Sequence, residues 1–497
     1  MSKKSVVIVG AGVAGMAAAI FLAKNGFNVT VFEKNPQAGG RCGQIVRDGH
    51  RFDLGATILL MPSIYREVFQ SLGLNFDECL ELKDLPTIYK LYFGNGEQLI
   101  FSKDDEVMMH QLETIEPGSH NLYKAYIKMG YGFFHDSYKA LLSRNFYHFY
   151  EFATMGNLML LLRLKTYLRH YTFIRKFFKN TQLQRAFTFQ NIYLGQNPLK
   201  APALFSMLPA TELTEGALFP VGGMHTVASK LKSVAEEAGV KFIFNKEVDK
   251  IETDGNRAKQ IICSDGTQTK SDLIVVNADL PYAYRNLLPD KKISDKLEHK
   301  TFACSAIVFH WGISKCYPQL EHHSIFLSKK YRKSLEAIFD YHVSSEDPSF
   351  YIHAPARTDP TAAPANGESL SVIVPVGHVN EKHPQNWEEI KKSVRSEVLK
   401  RLKDEGLSDL EENIKFEICY TPMAWKSIYN VARGSVFGSI GHNIMQMGYF
   451  RPHNRHNRYH NLYFVGGSTH PGNGVPLVLL SAKLTSERIL KENSEIS

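Results

Sequence analysis

The first apolar run of the chain, ending at Val9, gives way to glycines at positions 10, 12 and 15, then to a small-residue stretch, and then to a second apolar run from Val29 to Phe32 that closes on Glu33. Neither run alternates with polar residues. Unalternating runs bounded by glycine predict buried strands, and the stretch between them predicts a helix. A similar arrangement returns near the end of the chain, where Asn461 to Val465 predicts a strand, GGSTHPGNGVP a turn, and the remainder a final helix.

Between these ends the pattern changes character. Ile88 to Leu91 and Gln98 to Phe101 flank the turn Gly94-Asn95-Gly96 and continue a β-rich beginning. From about Asp104 to Lys200 apolar positions recur at three and four with few glycines, which predicts mostly helix. FPVGGMH then predicts a turn into a helix with Val227, Leu231, Val234 and Ala235 on one face, ending at Gly239 and followed by a strand pair. Asp272 to Asn277 is a short buried strand ending at Ala278 and Asp279. Between about 300 and 430, SAIVFHWGI, SLSVIVPV and KFEICYTP predict strands, and ARTDPTAAPANGES predicts a surface loop. The pattern thus implies an α/β chain whose nucleotide domain is discontinuous (1–95, 215–300 and 434–497). A largely helical region (96–214) and a β-rich region (301–433) are inserted into it.

The glycines carry chemistry. Gly10 permits a tight turn, Gly12 lets backbone approach a pyrophosphate, and Gly15 brings helix against strand; Glu33 is placed to accept ribose hydroxyls. G-x-G-x-x-G alone is weak, but here strand, spacing, helix and terminal acid agree. Lys3 and Lys4 before an apolar run would also suit a secretory signal, which the glycines and the second strand argue against. A nicotinamide enzyme needs only this motif. Three further features favour FAD: Gly39-Gly40-Arg41 near the pyrophosphate, the small-residue loop Gly55-Ala56-Thr57 to cover a flat ring, and a glycine-rich turn directly before the last helix.

Charge alters the picture in one region. The formal net charge is +8, and no Asp or Glu occurs from Phe152 through Thr211, where Arg163, Lys165, Arg169, Arg175, Lys176, Lys179, Arg185 and Lys200 lie among leucines and aromatics. The uncharged run Phe152 to Leu162 is too short to span a bilayer, which needs about 20 apolar residues. It suits the surface of an anionic membrane. An internal helix with snorkelling cations is the plainer alternative, and no module for nucleic acid accompanies the basic residues. The six cysteines form no C-x-x-C pair and read as reduced thiols of a cytoplasmic, peripherally membrane-associated protein. Neither His322–His323 nor the His442 to His460 group shows metal-ligand spacing, so no metal is expected.

GAGVAGMAAAIFLAKNGFNVTVFEKNPQAGGR, FDLGATILLMP, FPVGGMHTVASKL and RPHNRHNRYHNLYFVGGSTHPGNGVPLVLLSAKLTSERI resemble bacterial carotenoid (phytoene-type) desaturases, most of all the hydroxycarotenoid or γ-carotene 3,4-desaturase branch. The resemblance implies an amine-oxidase-like flavoprotein with a Rossmann-like FAD-binding domain, acting on C40 polyenes from the membrane surface. By motif it places Gly10, Gly12, Val13, Ala14 and Gly15 in the dinucleotide loop. Glu33 falls on the ribose with Lys34 beside it, Gly40 and Arg41 on the phosphates, and Gly55, Ala56, Thr57 and Ile58 over the ring. Val248 falls at adenine, Asn277 and Ala278 at the strand end beside the cofactor, and Gly467, Ser468, Gly474 and Val475 at the flavin-proximal turn and helix start.

No Ser–His–Asp, Cys–His or paired-carboxylate arrangement is apparent, as suits a reaction that begins with hydride removal to flavin and ends with proton loss from an allylic cation. Phe133, Phe134, Phe146, Tyr147, Phe205 and Met207 are candidates to line an apolar tunnel, and His225 and His442 are candidates for the proton acceptor. Oxygen or a membrane quinone is the expected electron acceptor. Two alternatives fit the same pattern: an amine or protoporphyrinogen oxidase, and a non-catalytic carrier of prenyl lipid.

Overall fold

The strand Ser5–Val9 lies at the centre of a five-stranded sheet in the order Leu462–Phe464, Leu273–Val276, Ser5–Val9, Asn28–Phe32, Lys241–Ile243. The computed structural model describes residues 3–494. Every pairing in this sheet is parallel. Parallel sheets are covered on both faces, which is why these strands read as unbroken apolar runs. One face carries the helix Val13–Lys24, in which Val13 through Leu22 are all buried between helices His225–Glu237 and Val475–Ser494. A helix apolar all round is a buried helix. The other face is covered by an antiparallel sheet, Val248–Asp254, Arg257–Cys263 and Gln268–Lys270, whose Ile251 and Ile261 share a core with Val7, Val9 and Phe32. The predicted strand pair after Gly239 therefore divides between two sheets.

A second, seven-stranded sheet runs Ile414–Tyr420, Ser305–Ile313, Glu368–Val376, Phe350–His353, His323–Phe326, Thr87–Tyr92, Gln98–Ser102. Its last two strands are a hairpin that docks parallel onto His323–Phe326. A division at 95/96 falls inside this hairpin, which packs with the 301–433 region because its apolar face finds a paired edge only there. ARTDPTAAPANGES is a surface loop only in part, exposed at Pro360, Thr361, Ala365 and Asn366. It forms two short 3-10 turns, and Asp359, Ala362, Ala363 and Glu368 within it are buried. Asp359 accepts from Arg51 and from the Gly222 backbone, which ties the segment to the fold, and Arg357 lies against Glu368.

The helical region breaks into short helices around Ser119–Ser137 and Met207–Glu215, which pack on each other; Glu212 of the latter meets Tyr89 of the second sheet. The helix Met155–Arg163 has no buried residue. Among the described residues no helix is long and apolar enough to cross a membrane.

Candidate active site

One continuous cavity of about 530 Å³ runs between the two sheets and the helical region. It is lined by the first glycine turn (Gly10, Gly12), by the start of the last helix (Gly474, Val475), and by the second sheet. The sheet contributes Ile325, Tyr351, Ile373 and Val308, which stand opposite one another on successive strands and form its floor. Side chains on one face of paired strands lie side by side, so register alone builds this apolar stripe.

The nucleotide end is assembled through backbone. Gly10 adopts φ +102, and a Cβ on Gly15 would stand 2.3 Å from the Gly10 carbonyl oxygen and 2.7 Å from Asn277 Nδ2. Asn277 Nδ2 donates to that same carbonyl at 3.0 Å, locking the turn to the neighbouring strand. The buried Glu33 carboxylate accepts from Ala11 N at 2.8 Å and from Asn35 N at 2.9 Å, which fixes it at the end of its strand. Gly39 N donates to the Ala11 carbonyl at 2.9 Å, so the Gly39-Gly40-Arg41 turn packs directly on the glycine turn. Arg41 donates to the Val436 carbonyl at 2.6 Å. Burial pushes its pKa down, partly offset by Asp279, and no carboxylate among the described residues is within ion-pair distance of it.

Of the cofactor positions expected from sequence, all but Gly15 line this cavity: Val13, Ala14, Lys34, Gly40, Gly55, Ala56, Thr57, Ile58, Val248, Ala278, Gly467 and Ser468 join those already placed. Gly15 is packed behind the turn. Of the tunnel candidates, Phe134, Phe205 and Met207 are on the wall. Phe133 instead packs against Phe173, Phe146 against Phe152 and His470, and Tyr147 lies under Arg488 and Lys491. These three face the core or the surface because neighbouring helices take up their faces. His225 is off the cavity, with Nδ1 on the Cys42 carbonyl at 2.9 Å. His442 is in the wall, buried, with neither ring nitrogen hydrogen-bonded; burial and the Arg451 charge hold its pKa well below the usual imidazole value.

Three contributions escaped the sequence reading. The floor residues belong to strands whose cavity face is set by register. Trp425, Tyr429, Val431 and Phe437 enter the wall from the segment before the final glycine-rich stretch. Arg451, 1% exposed, donates to the carbonyls of Thr469 (2.9 Å) and Gly467 (2.5 Å), with longer contacts to those of Ile440, Gln446 and Gly441, and so holds the terminal glycine turn from behind. Burial lowers its pKa to about 9. A basic residue in a polar stretch gives no sign of this role. The nearest clue was the density of glycine and polar residues around it.

These residues fit FAD. The half-buried Arg41 guanidinium lacks an anion, two helix starts present unpaired N–H groups to one cavity, and Glu33 stands fixed at the strand end, which together suit a diphosphate joined to ribose. Residues 13–490 match the family described as flavin containing amine oxidoreductase. The chain belongs to that family, and its cofactor is FAD. Within it the chain groups with the phytoene-type carotenoid desaturases. It is 38% identical to a zeta-carotene-forming phytoene desaturase of Myxococcus xanthus, over 98% of this chain and 94% of that one. It is 37% identical to a phytoene desaturase of Fusarium fujikuroi, over 99% and 90%. Putrescine oxidase bound to putrescine superposes with a TM-score of 0.64 at 14% identity, over 98% of this chain and 99% of that one, a likeness of fold alone.

Proposed function

We propose that the protein is an FAD-dependent carotenoid desaturase that introduces C=C bonds into a C40 polyene, specifically by 3,4-desaturation of a γ-carotene or 1′-hydroxycarotenoid substrate. The observation that carries this reading is the shared cavity: the turns suited to FAD open without a partition onto a floor of Ile325, Ile373 and Val308 and a wall of Phe134, Phe205 and Met207. A polar amine would gain little from that lining. A polyene loses its water contact there.

Bound FAD supplies a hydride acceptor. The chain's own part is to hold the polyene along the floor, to exclude water, and to take up a proton. His442 is the proposed acceptor, because its neutral imidazole has a free nitrogen in the cavity wall, whereas His225 is turned away. The polar spots on the wall (Tyr89, Tyr193, and Tyr351 bonded to Thr57 at 2.9 Å) support a substrate bearing a hydroxyl group.

The substrate's route supports a cytoplasmic protein lying on an anionic membrane surface, with oxygen or a membrane quinone as electron acceptor. Met155, Leu158, Met159 and Leu162 project from an unburied helix beside exposed Phe149 and Tyr150. Phe149 and Phe152 touch the Gly448–Phe450 turn, and Met447 and Gly448 border the cavity. An exposed apolar surface followed in the chain by the exposed cations Arg163, Arg169, Arg175 and Lys176 is suited to lipid. Expression in cells making lycopene, γ-carotene or a 1′-hydroxylated carotenoid tests the specificity. A product two hydrogens lighter is expected from the latter two; conversion of lycopene alone, or of none, would refute it.

A further inference from the structure

We infer that His322, His323 and His353 form a binding site for a borderline divalent transition-metal ion, with Zn²⁺ as the simplest occupant, at the floor of the cavity, which His323 itself lines. The site is independent of the desaturation reading.

His323 opens the strand His323–Phe326, and His353 closes the strand Phe350–His353 directly opposite it in register. Opposed residues of an antiparallel pair share a face. His322 precedes its strand, where the chain is still turning, and so reaches the same side as His323 despite adjacency in sequence. One nitrogen from each of the three rings lies within 4.8 Å of the others, and all three residues are buried. His322 Nε2 and His353 Nε2 stand 3.2 Å apart. Two nitrogens on a tetrahedral zinc, each at about 2.0–2.1 Å, are separated by about 3.3 Å, so this pair already has ligand spacing. The third ring needs to close by no more than about 1.5 Å, the difference between 4.8 Å and that spacing.

The surroundings orient the rings as metal ligands are oriented. His322 Nδ1 is on Thr358 Oγ1 at 2.7 Å, and His323 Nδ1 is on the Tyr351 hydroxyl at 2.7 Å. With each Nδ1–H donated outward, each Nε2 keeps its lone pair for the centre. His323 Nε2 has no hydrogen-bond partner, and such a buried group calls for an explanation. Ion uptake moves the proton shared by His322 and His353 onto His353 Nδ1, so no proton need be lost. His323, Tyr351 and Thr57 then connect the ion to the cavity wall.

The test uses untagged, flavin-loaded protein freed of metal and titrated with Zn²⁺ against a chromophoric chelator, with Co²⁺ as a spectroscopic probe. The expected result is one ion per chain and the strong visible absorption of tetrahedral Co²⁺. Thr358→Val should weaken binding on the order of 10-fold by freeing His322, and His353→Gln should abolish it, while His110→Gln, at an exposed histidine, leaves it unchanged. X-ray absorption of the zinc-loaded wild type should count three imidazole ligands, a readout that does not depend on any variant folding. Failure to take up a stoichiometric ion, or a count below three imidazoles, overturns the inference.

Discussion

At position 15 a single methyl group has nowhere to go: its carbon would sit 2.3 Å from the Gly10 carbonyl oxygen. Gly15→Ala must pry the helix from the strand, at about 1–3 kcal/mol or more. The expected outcome is loss of flavin absorbance on desalting, whereas Gly26→Ala, at φ +87 with nothing within 4 Å, keeps the flavin and costs about 1–2 kcal/mol of backbone strain. Glu212 offers a pH-dependent counterpart. Burial raises its pKa from 4.5 to about 8 despite the hydrogen bond from Tyr89. Because the folded state holds the proton more tightly, the stability this provides is complete below pH 4.5 and is lost progressively up to about 8. Glu212→Gln should therefore match wild type in melting temperature near pH 4.5, exceed it by a growing margin to about pH 8, and keep that margin above. A constant gap across this range would contradict the assignment. His442→Gln should lower turnover at least about 10-fold with flavin content unchanged, and an unchanged rate would remove it as proton acceptor. The glycines and Glu33 were legible because their spacing has one geometric meaning. Arg451 and the three histidines were not, since a carbonyl cage and a cross-strand triad depend on where distant backbone runs.

At the scale of elements, unalternating apolar runs identified the parallel strands, and the alanine-rich stretch identified the buried helix. The hairpin Thr87–Tyr92 with Gln98–Ser102 was legible as strands but not as part of the second sheet, because its partner His323–Phe326 lies far along the chain. ARTDPTAAPANGES misled in part, for a related reason: turn-rich polar sequence looks solvated unless Arg51 and the Gly222 backbone are known to meet it. The helix Met155–Arg163 is the element whose exposure most needs a partner. Replacing Leu158, Met159 and Leu162 with Ser should weaken flotation with anionic liposomes at both low and high salt. Replacing Arg163, Arg169, Arg175 and Lys176 with Gln should weaken it chiefly at low salt, since exposed charges are screened within about 10 Å at 0.1 M. Undiminished flotation of both variants would place the contact elsewhere.

Across the whole molecule, the sequence led to the expectation that the two ends serve one nucleotide site, and the fold brings those ends together by placing Ser5–Val9 beside Leu273–Val276 and that strand beside Leu462–Phe464. What sequence did not give was the floor, because a cavity between two sheets is a property of their packing. The central claim is that an apolar polyene and FAD meet in that one cavity. It is tested most directly by mixing flavin-loaded protein, without oxygen, with liposomes carrying a 1′-hydroxylated carotenoid and following the flavin band. Bleaching of the band together with a carotenoid product two hydrogens lighter is expected. Bleaching by soluble amines but not by the liposomal carotenoid would contradict it.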